Sequence, residues 1–303
     1  MATRKKHRAG SVAILGRPNA GKSTLLNALL GTKLAIVASK PQTTRTSIQG
    51  VLTEPDAQIV FVDTPGIHKS NTLLNKRMMD AVRNAADAPD VVVFVVDALA
   101  RFSEQDAQAV DLVKKANVPA IAVFNKVDWL EEKPRLLALI ERYRALYDFA
   151  DYVPISALKG QGLDVLRREI VARLPEGPAL YPDDYLTDQP ERFLAAELLR
   201  EKILHFTHQE VPHSVAVVIE SWEETDRLVR IAATIFVERT GQKAILIGAG
   251  GAALRKVGTQ TRQELERRLE KKVFLQTFVK VRANWREDPE FLQAVDWRVG
   301  RNL

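Results

Sequence analysis

Residues 16 to 23 read Gly-Arg-Pro-Asn-Ala-Gly-Lys-Ser, which is the spacing of a phosphate-binding loop. An apolar run at 12–15 precedes this segment, and residues 22–30 have the pattern of a helix. The strand, loop and helix order favours a true phosphate loop over a chance glycine turn. Its glycines let successive backbone N–H groups converge on phosphate oxygens at the positive end of the helix. The sequence therefore predicts a unit that binds the polyphosphate of a nucleotide.

The side chains of this loop have separate predicted roles. Lys22 supplies a point charge for the terminal phosphates, and the Ser23 hydroxyl is a ligand for Mg²⁺. Asn19 is a candidate ligand for a monovalent cation such as K⁺, although an asparagine in a loop equally makes local hydrogen bonds. The nucleotide contacts predicted from this loop are Gly16, Arg17, Pro18, Asn19, Ala20, Gly21, Lys22, Ser23 and Thr24.

A second motif follows the apolar run 59–62 and reads Asp63, Thr64, Pro65, Gly66. Asp63 is predicted to hold Mg²⁺ through a water, and the Gly66 N–H to contact the terminal phosphate only while that phosphate is present. The polar connection 31–46 contains Thr43 and Thr44, of which one hydroxyl reaches the metal. The pattern favours Thr44 without excluding Thr43.

Ile67 follows Gly66, at the place where Ras-like sequences carry a glutamine that orients the attacking water. Because isoleucine cannot orient a water, we expect slow hydrolysis without a partner or a cation. The predicted catalytic residues are Lys22, Thr44, Asp63 and Gly66.

A third motif indicates which base is bound. The apolar run 120–124 leads into Asn125, Lys126, Val127 and Asp128. The Asp128 carboxylate can accept two hydrogen bonds from guanine, whereas the N1 of adenine is an acceptor and leaves the carboxylate unpaired. The run 152–155 leads into Ser156, Ala157 and Leu158, where the Ala157 N–H is predicted to donate to guanine O6. These residues favour GTP over ATP.

Strand patterns near 12, 47, 59, 92, 121 and 153 alternate with helical patterns. The motifs fall at the carboxyl ends of strands, where doubly wound sheets bind ligands. We predict an α/β P-loop GTPase domain with a doubly wound, mostly parallel sheet over residues 11–174, preceded by a basic tail at 1–10.

Four prolines mark residues 175–190 as a linker. Residues 191–286 then read as helix, strand, strand, helix, helix, strand, the order of an α+β KH domain of type II, and residues 287–303 read as a tail. The segment Ile247, Gly248, Ala249, Gly250, Gly251 joins the two middle helices. A bare G-x-x-G is weak evidence, but in KH domains such a loop lets RNA phosphates approach closely.

Charge supports this interpretation. Residues 239–286 hold 12 Lys and Arg against three Glu, a balance of +9, whereas residues 181–238 have a balance of −7. Such focused positive charge suits a polyanion, although an ordinary charged helix face is the simpler explanation. KH loops often carry a lysine between the glycines, and this one does not. The predicted RNA contacts are Ile247, Gly248, Ala249, Gly250, Gly251, Leu254, Arg255, Lys256 and Arg262.

Composition limits the remaining classes. The chain of 303 residues has no cysteine, which excludes a disulfide scaffold and a thiolate metal site. The apolar runs are far shorter than the roughly 18 residues that a membrane-spanning helix needs. We therefore expect a protein without a transmembrane segment.

Taken together, the three nucleotide motifs, the segment 42–45, the hydrophobic Ile67, the stretch 181–185 and the basic KH-like region resemble the bacterial Era GTPases along nearly the whole chain. The resemblance implies a cytoplasmic GTPase that uses GTP, GDP and Mg²⁺. It further implies binding to the 3′ end of 16S ribosomal RNA through the KH domain, assistance in assembly of the small ribosomal subunit, and peripheral contact with the membrane.

Two other interpretations remain open at this stage. In one, the protein is a scaffold that binds nucleotide and RNA without turnover. In the other, the basic segment is a patch that binds the membrane surface.

Overall fold

The computed structural model describes residues 7–67, 72–208 and 211–296. Its described residues cluster into two compact units. The first contains 7–35, 44–67 and 76–188, and the second contains 36–43, 72–75 and the described residues from 189 onward. Two short segments of the range predicted as the GTPase domain are therefore packed with the second unit.

The first unit contains a six-stranded sheet in the order β2-β3-β1-β4-β5-β6. The strands are β1 (Arg8–Gly16), β2 (Ile48–Glu54), β3 (Ala57–Asp63), β4 (Val91–Asp97), β5 (Ala120–Asn125) and β6 (Asp151–Pro154). Only the β2–β3 pair is antiparallel among these strands. The helices are α1 (Lys22–Leu30), α2 (Leu73–Ala86), α3 (Glu104–Ala116), α4 (Lys133–Arg144) and α5 (Leu163–Arg173). This topology confirms the predicted doubly wound, mostly parallel sheet.

Apolar strands explain the stability of this sheet. In β4 the six residues 91–96 are all buried, as expected of a central parallel strand covered on both faces. Polar ligands cannot lie within such a strand, so the functional side chains are placed where the strands end. Gly16, Asp63, Asp97 and Asn125 each occupy the last position of their strand.

The second unit has the predicted order of helices and strands. It contains α6 (Glu191–Phe206), β7 (Ala216–Glu224), β8 (Leu228–Val237), α7 (Thr240–Ile247), α8 (Ala252–Leu269) and β9 (Lys272–Val281). The sheet order is β7-β8-β9, with β8 and β9 parallel. Helices α6 and α8 pack on the sheet through a core that includes Leu199, Ile203, Ala233, Ile235 and Val257.

Two buried charges of α6 hold the segment 36–43 within this unit. Arg200 is 2% exposed, pairs with Glu197 at 2.6 Å, and donates to the backbone oxygen of Thr43. The Glu201 carboxylate accepts the Val37 N–H at 2.8 Å. Buried charges need such partners, since an unpaired charge in a protein interior is strongly destabilising.

Two predicted boundaries differ from the structure. Strand β1 begins at Arg8, inside the predicted tail 1–10, because residues 8–10 pair with β3. The predicted tail 287–303 contains helix α9 (Pro289–Ala294), whose Phe291 packs on Trp285 and Phe236. Residues 1–6 and 297–303 of these two tails lie outside the described residues.

The predicted linker 175–190 forms no helix or strand, yet Gln58 anchors it. The Gln58 Oε1 accepts the N–H groups of Leu180 and Tyr181 at 2.7 and 2.8 Å. Its Nε2 donates to the backbone oxygen of Tyr181 at 2.9 Å. Over residues 7–67, 72–208 and 211–296, no helix is both long and apolar enough to cross a membrane.

Candidate nucleotide site and nucleic-acid groove

Close packing explains why glycine occupies two positions in the nucleotide motifs. A Cβ added to Gly21, which has a φ of +96°, would lie 2.2 Å from Nδ2 of Asn125. A Cβ on Gly66 would lie 2.6 Å from the Cα of Pro18. Both distances are shorter than any real Cβ contact, so neither position accepts a side chain without movement. The three predicted motifs therefore meet at one place in the first unit.

The Asn125 and Lys126 side chains hold the phosphate loop. Asn125 is buried, and its Nδ2 donates to the backbone oxygen of Ala20 at 2.9 Å. Lys126 Nζ donates to the backbone oxygen of Asn19 at 2.8 Å and pairs with Asp97 at 2.6 Å. The base-reading motif thus braces the loop that the sequence predicts to hold the phosphates.

Ser23, Thr44 and Asp63 converge at the first turn of α1. Ser23 Oγ lies 2.8 Å from Thr44 Oγ1 and donates to Oδ2 of Asp63 at 2.7 Å. Thr43 lies elsewhere, with its Oγ1 donating to the backbone oxygen of Lys40 at 2.6 Å. The geometry therefore supports Thr44, and not Thr43, as the threonine of this cluster.

Asp63 is buried, and its Oδ1 accepts no hydrogen bond from the described residues. Burial raises the pKa of Asp63 to about 6, although Lys22 and the hydroxyls of Ser23 and Thr44 act in the opposite direction. A buried carboxylate oxygen without a partner, beside two hydroxyl oxygens, is a donor set of the kind that Mg²⁺ prefers. These residues fit a magnesium ion.

Lys22 lies near enough to this cluster to interact electrostatically with Asp63. Its Nζ donates to the backbone oxygens of Gly16 and Arg17, both at 3.0 Å. Burial lowers the pKa of Lys22 to about 8, while the carboxylate of Asp63 acts in the opposite direction. Phosphate oxygens are better partners for a buried ammonium than carbonyl oxygens, because they carry a full negative charge.

Of the residues predicted to read the base, one is accessible to a ligand and another is hydrogen-bonded within the protein. Asp128 lies in a 3₁₀ turn (Val127–Trp129) and is exposed, so its carboxylate is accessible to a ligand. The Ala157 N–H, predicted to donate to guanine O6, instead donates to Oδ1 of Asn125 at 2.9 Å. Ser156 is buried and Leu158 is 69% exposed. In this structure that N–H fixes Asn125, and its contact with guanine O6 stays a prediction.

The second motif packs into the sheet. Thr64 is buried, and its Oγ1 donates to the backbone oxygen of Ile14 at 2.8 Å. Ile67 is also buried, belongs to the hydrophobic core of the first unit, and donates its N–H to the backbone oxygen of Gly16. Its side chain is thus a packing element, as expected for a residue that does not position water. Residues 68–71, within the segment predicted to respond to hydrolysis, lie outside the described residues.

Sequence reasoning missed Asp106, the partner of Arg17. This carboxylate is buried and accepts from Arg17 Nη1 at 2.7 Å, from the Ser103 N–H at 2.8 Å and from the Tyr143 hydroxyl at 2.8 Å. Burial and the nearby carboxylate raise the pKa of Tyr143. The capping box formed by Ser103 and Asp106 marks this residue as a helix cap, but nothing local indicates its pairing with Arg17, 89 residues away.

In the second unit, the glycine loop and α8 form one side of a groove of about 340 Å³. The loop has left-handed backbone at Gly250 and Gly251, with φ of +57° and +79°, in the 3₁₀ turn Ala249–Gly251. The groove is lined by Gly251, Leu254, Arg255, Gly258, Thr259, Arg262, Leu275 and Thr277. Of these, Gly258, Thr259, Leu275 and Thr277 were not predicted.

Five of the predicted RNA contacts are not part of the groove lining, namely Gly248, Ala249 and Gly250 of the loop, together with Ile247 and Lys256. The ammonium of Lys256 lies 4.8 Å from the ring centroid of Phe206. Ile247 packs against the core of the second unit. The structure therefore brings together Leu254, Arg255 and Arg262 from the predicted set, beside the loop that contains Gly248, Ala249 and Gly250.

Comparison with known proteins supports the assignment of both regions of the chain. Residues 11–126 match the family described as 50S ribosome-binding GTPase, and residues 210–286 match the KH domain family. GTPase Era of Geotalea uraniireducens is 49% identical over 292 residues, covering 96% of this chain and 98% of that protein. GTPase Era of Ruminiclostridium cellulolyticum is 42% identical, covering 98% and 99%.

Solved structures give the same result. A variant of Aquifex aeolicus Era bound to GDP and AlF₄⁻ has a TM-score of 0.92 and 40% identity, covering 95% of this chain and 99% of that one. Era in complex with MgGDPNP and nucleotides 1506–1542 of 16S ribosomal RNA has a TM-score of 0.93 and 40% identity, covering 96% and 99%. With identities above 40% over nearly full length, the chain belongs to the Era family of GTPases.

Proposed function

We propose that this chain is a magnesium-dependent switch protein that binds GTP, hydrolyses it slowly, and binds 16S ribosomal RNA through its KH domain during assembly of the small ribosomal subunit. The observation that carries the nucleotide part is the convergence of Ser23, Thr44 and Asp63 beside Lys22. We also propose that the protein acts in the cytoplasm.

Each residue of the cluster has a task in this function. Ser23, Thr44 and, through a water, Asp63 would hold a magnesium ion, which when bound would offset negative charge on the terminal phosphates. Lys22 moves its hydrogen bonds from the carbonyls of Gly16 and Arg17 to phosphate oxygens. The loop N–H groups complete the phosphate contacts at the positive end of α1. The switch depends on Thr44, because its hydroxyl would contact the metal only when the third phosphate is present.

Slow turnover follows from the environment of Ile67. The side chain at this position lies in the core, so it does not orient a water for in-line attack. The orienting group is then a backbone atom, a bound cation near Asn19, or a partner molecule. This observation also keeps a second candidate open, a scaffold that binds GTP and RNA without turnover.

Support for RNA binding comes from the groove between α8 and β9. Arg255 and Arg262 lie along one side of it, while Leu254 and Leu275 give it an apolar surface. Phosphates beside the glycine loop and bases on an apolar surface are the usual arrangement for a KH domain. The relative that was solved with 16S ribosomal RNA is 40% identical to this chain.

The test is single-turnover cleavage of GTP with excess protein and Mg²⁺, with ATP measured in parallel. We expect slow release of phosphate from GTP and none from ATP. Lys22→Ala provides the background rate, since it removes the phosphate contact. Tight binding of GTP with no cleavage above this background would support the scaffold, and equal handling of ATP would contradict the assignment of Asp128.

A further inference from the structure

Strand β9 presents a different set of side chains on each face of the sheet. Because side chains alternate along a strand, Val273, Leu275, Thr277 and Val279 share the face covered by the helices. The other face carries Phe274 and Phe278, which are 49% and 53% exposed. Two half-exposed phenylalanines on one strand are unusual for a surface that contacts only water.

Positive side chains accompany this aromatic pair. Lys272 and Lys280 occupy the same face of β9, and both are exposed. Arg230 of β8 lies beside Phe274 in the strand register, with its guanidinium carbon 5.9 Å from the ring centroid. The acidic exception is Glu223 of β7, which is paired with Arg230 in register. The face of the sheet that carries Phe274 and Phe278 therefore combines aromatic rings with cations, and this combination suits a nucleic acid.

The same strand also borders the groove. β9 pairs only with β8 in this sheet, so its other edge is open among the described residues. Leu275 and Thr277 line the groove on one face, and Phe274 and Phe278 lie on the opposite face. A polynucleotide that leaves the groove has only one strand width, about 5 Å, to cross before it reaches the aromatic face.

An RNA strand longer than the footprint of the glycine loop would extend past the groove. A KH glycine loop clamps about four nucleotides. A longer strand must either leave its other nucleotides in solvent or lay them on a neighbouring surface. Aromatic side chains on an open sheet stack bases in other RNA-binding domains, and every base has a face that can stack.

We propose that the part of the outer face of the β7-β8-β9 sheet around Phe274 and Phe278, beside the end where α9 packs on Phe236, is a second RNA surface that stacks bases of the single strand continuing from the groove. This inference rests on the proposed binding of RNA by the KH domain. Lys272, Arg230 and Lys280 contact the phosphates between the stacked bases. Stacking makes this surface tolerant of sequence, so it adds affinity and length dependence without a strict base code.

The test measures the affinity of the full chain for RNA of nucleotides 1506–1542 and for nested single-stranded fragments down to four nucleotides. In the parent protein, affinity is expected to rise as the fragment extends beyond the groove. The double variant Phe274→Ala, Phe278→Ala should lose roughly 30-fold or more in affinity for the long fragments, because two stacked bases lose their aromatic partners. Its affinity for the shortest groove-binding fragment and for GTP should not change.

Two controls isolate stacking. The variant Phe274→Tyr, Phe278→Tyr keeps the rings and should retain the length dependence. Leu137→Ala removes an exposed apolar side chain of the first unit, 63% exposed, and should have no effect on RNA affinity. If the alanine variant binds long RNA as tightly as the parent, the second surface does not exist.

Crosslinking gives an independent result. Long RNA carrying 4-thiouridine outside the groove-bound nucleotides should crosslink to the Phe274 or Phe278 side chain, and fragmentation mass spectrometry distinguishes these sites from Leu275 and Thr277 of the groove. Absence of this crosslink, while a second RNA labelled at a groove-bound nucleotide still crosslinks to the groove, would overturn the inference even if the alanine variant were impaired for another reason. Failure of the parent protein to bind any fragment would instead refute the proposed RNA-binding function.

Discussion

At the scale of single residues, the choice of base depends on one exposed carboxylate. Asp128 is accessible in its 3₁₀ turn, so it can pair with the N1–H and amino group of guanine. We expect Asp128→Asn to weaken GTP binding by at least 100-fold and to shift preference towards xanthosine triphosphate, since the amide can donate to the O2 of xanthine. Competition titration with both nucleotides measures this, and equal GTP affinity in variant and parent would refute it.

A second residue-scale prediction concerns Asp106, which fixes the Arg17 side chain of the phosphate loop. In Asp106→Asn the ion pair is lost while the shape is kept. We expect the free energy of unfolding to fall by about 2 kcal/mol, because a buried charged hydrogen bond is replaced. We also expect weaker GTP binding, because the loop backbone at Arg17 loses its anchor.

Tyr143→Phe is the matched control for Asp106. It removes the hydroxyl that donates to Oδ1 of Asp106 at 2.8 Å and leaves the pair with Arg17 intact. This change should cost about 1 kcal/mol of stability and leave GTP affinity unchanged. Denaturant unfolding measures the stability of both variants, and GTP titration measures their affinity for the nucleotide. An equal loss of GTP affinity in the two variants would mean that general destabilisation, and not loop anchoring, is responsible.

At the scale of elements, the glycine loop between α7 and α8 offers a test of RNA recognition. Gly250 has a φ of +57°, and a Cβ added there would have open space around it. A substitution therefore costs about 1 kcal/mol in backbone strain without a clash. We expect Gly250→Asp to weaken RNA binding several-fold by repelling phosphates, while GTP binding is preserved.

Gly250→Asn separates charge from shape at this position. Asparagine has nearly the same size as aspartate and tolerates left-handed backbone. In filter-binding assays, the RNA affinity of Gly250→Asn should therefore lie between that of the parent and that of Gly250→Asp. Similar losses for Asn and Asp would show that the contact needs glycine itself, and loss of GTP binding in either variant would indicate misfolding.

The elements were largely predictable because their signals are local. Residues 91–96 form an uninterrupted apolar run, and each nucleotide motif follows such a run. Contacts between distant residues were not predictable. Strand β1 starts at Arg8 only because β3 offers a pairing partner at Ala57, and Asp106 meets Arg17 only after folding. Helix α9 carried a signal that was overlooked, since Asp288 precedes Pro289 and its side chain accepts the Phe291 N–H at 3.0 Å.

At the scale of the whole molecule, the charge distribution separates RNA from membrane as the partner of the basic segment. The net charge of +6 combines a balance of +9 over residues 239–286 with −7 over residues 181–238. Only part of the positive charge lies at the groove, where Arg255 and Arg262 line it. We therefore expect RNA binding to depend on a few defined ion contacts. Membrane binding should instead depend on the total positive charge of the basic segment.

This difference predicts distinct salt dependences. For a short RNA that occupies only the groove, with Arg255, Arg262 and one further cation contacting phosphates, the logarithm of RNA affinity should fall against the logarithm of salt concentration with a slope of about −2. The variant Arg255→Gln, Arg262→Gln should flatten this slope by about 1.4, because each contact with single-stranded RNA contributes about 0.7. Binding to anionic phosphatidylserine vesicles, measured in parallel, should be weaker and little affected by this variant. If the vesicles bind as tightly as RNA and the variant leaves the RNA slope unchanged, the basic segment is a membrane-surface patch, and the groove is not the site of RNA binding.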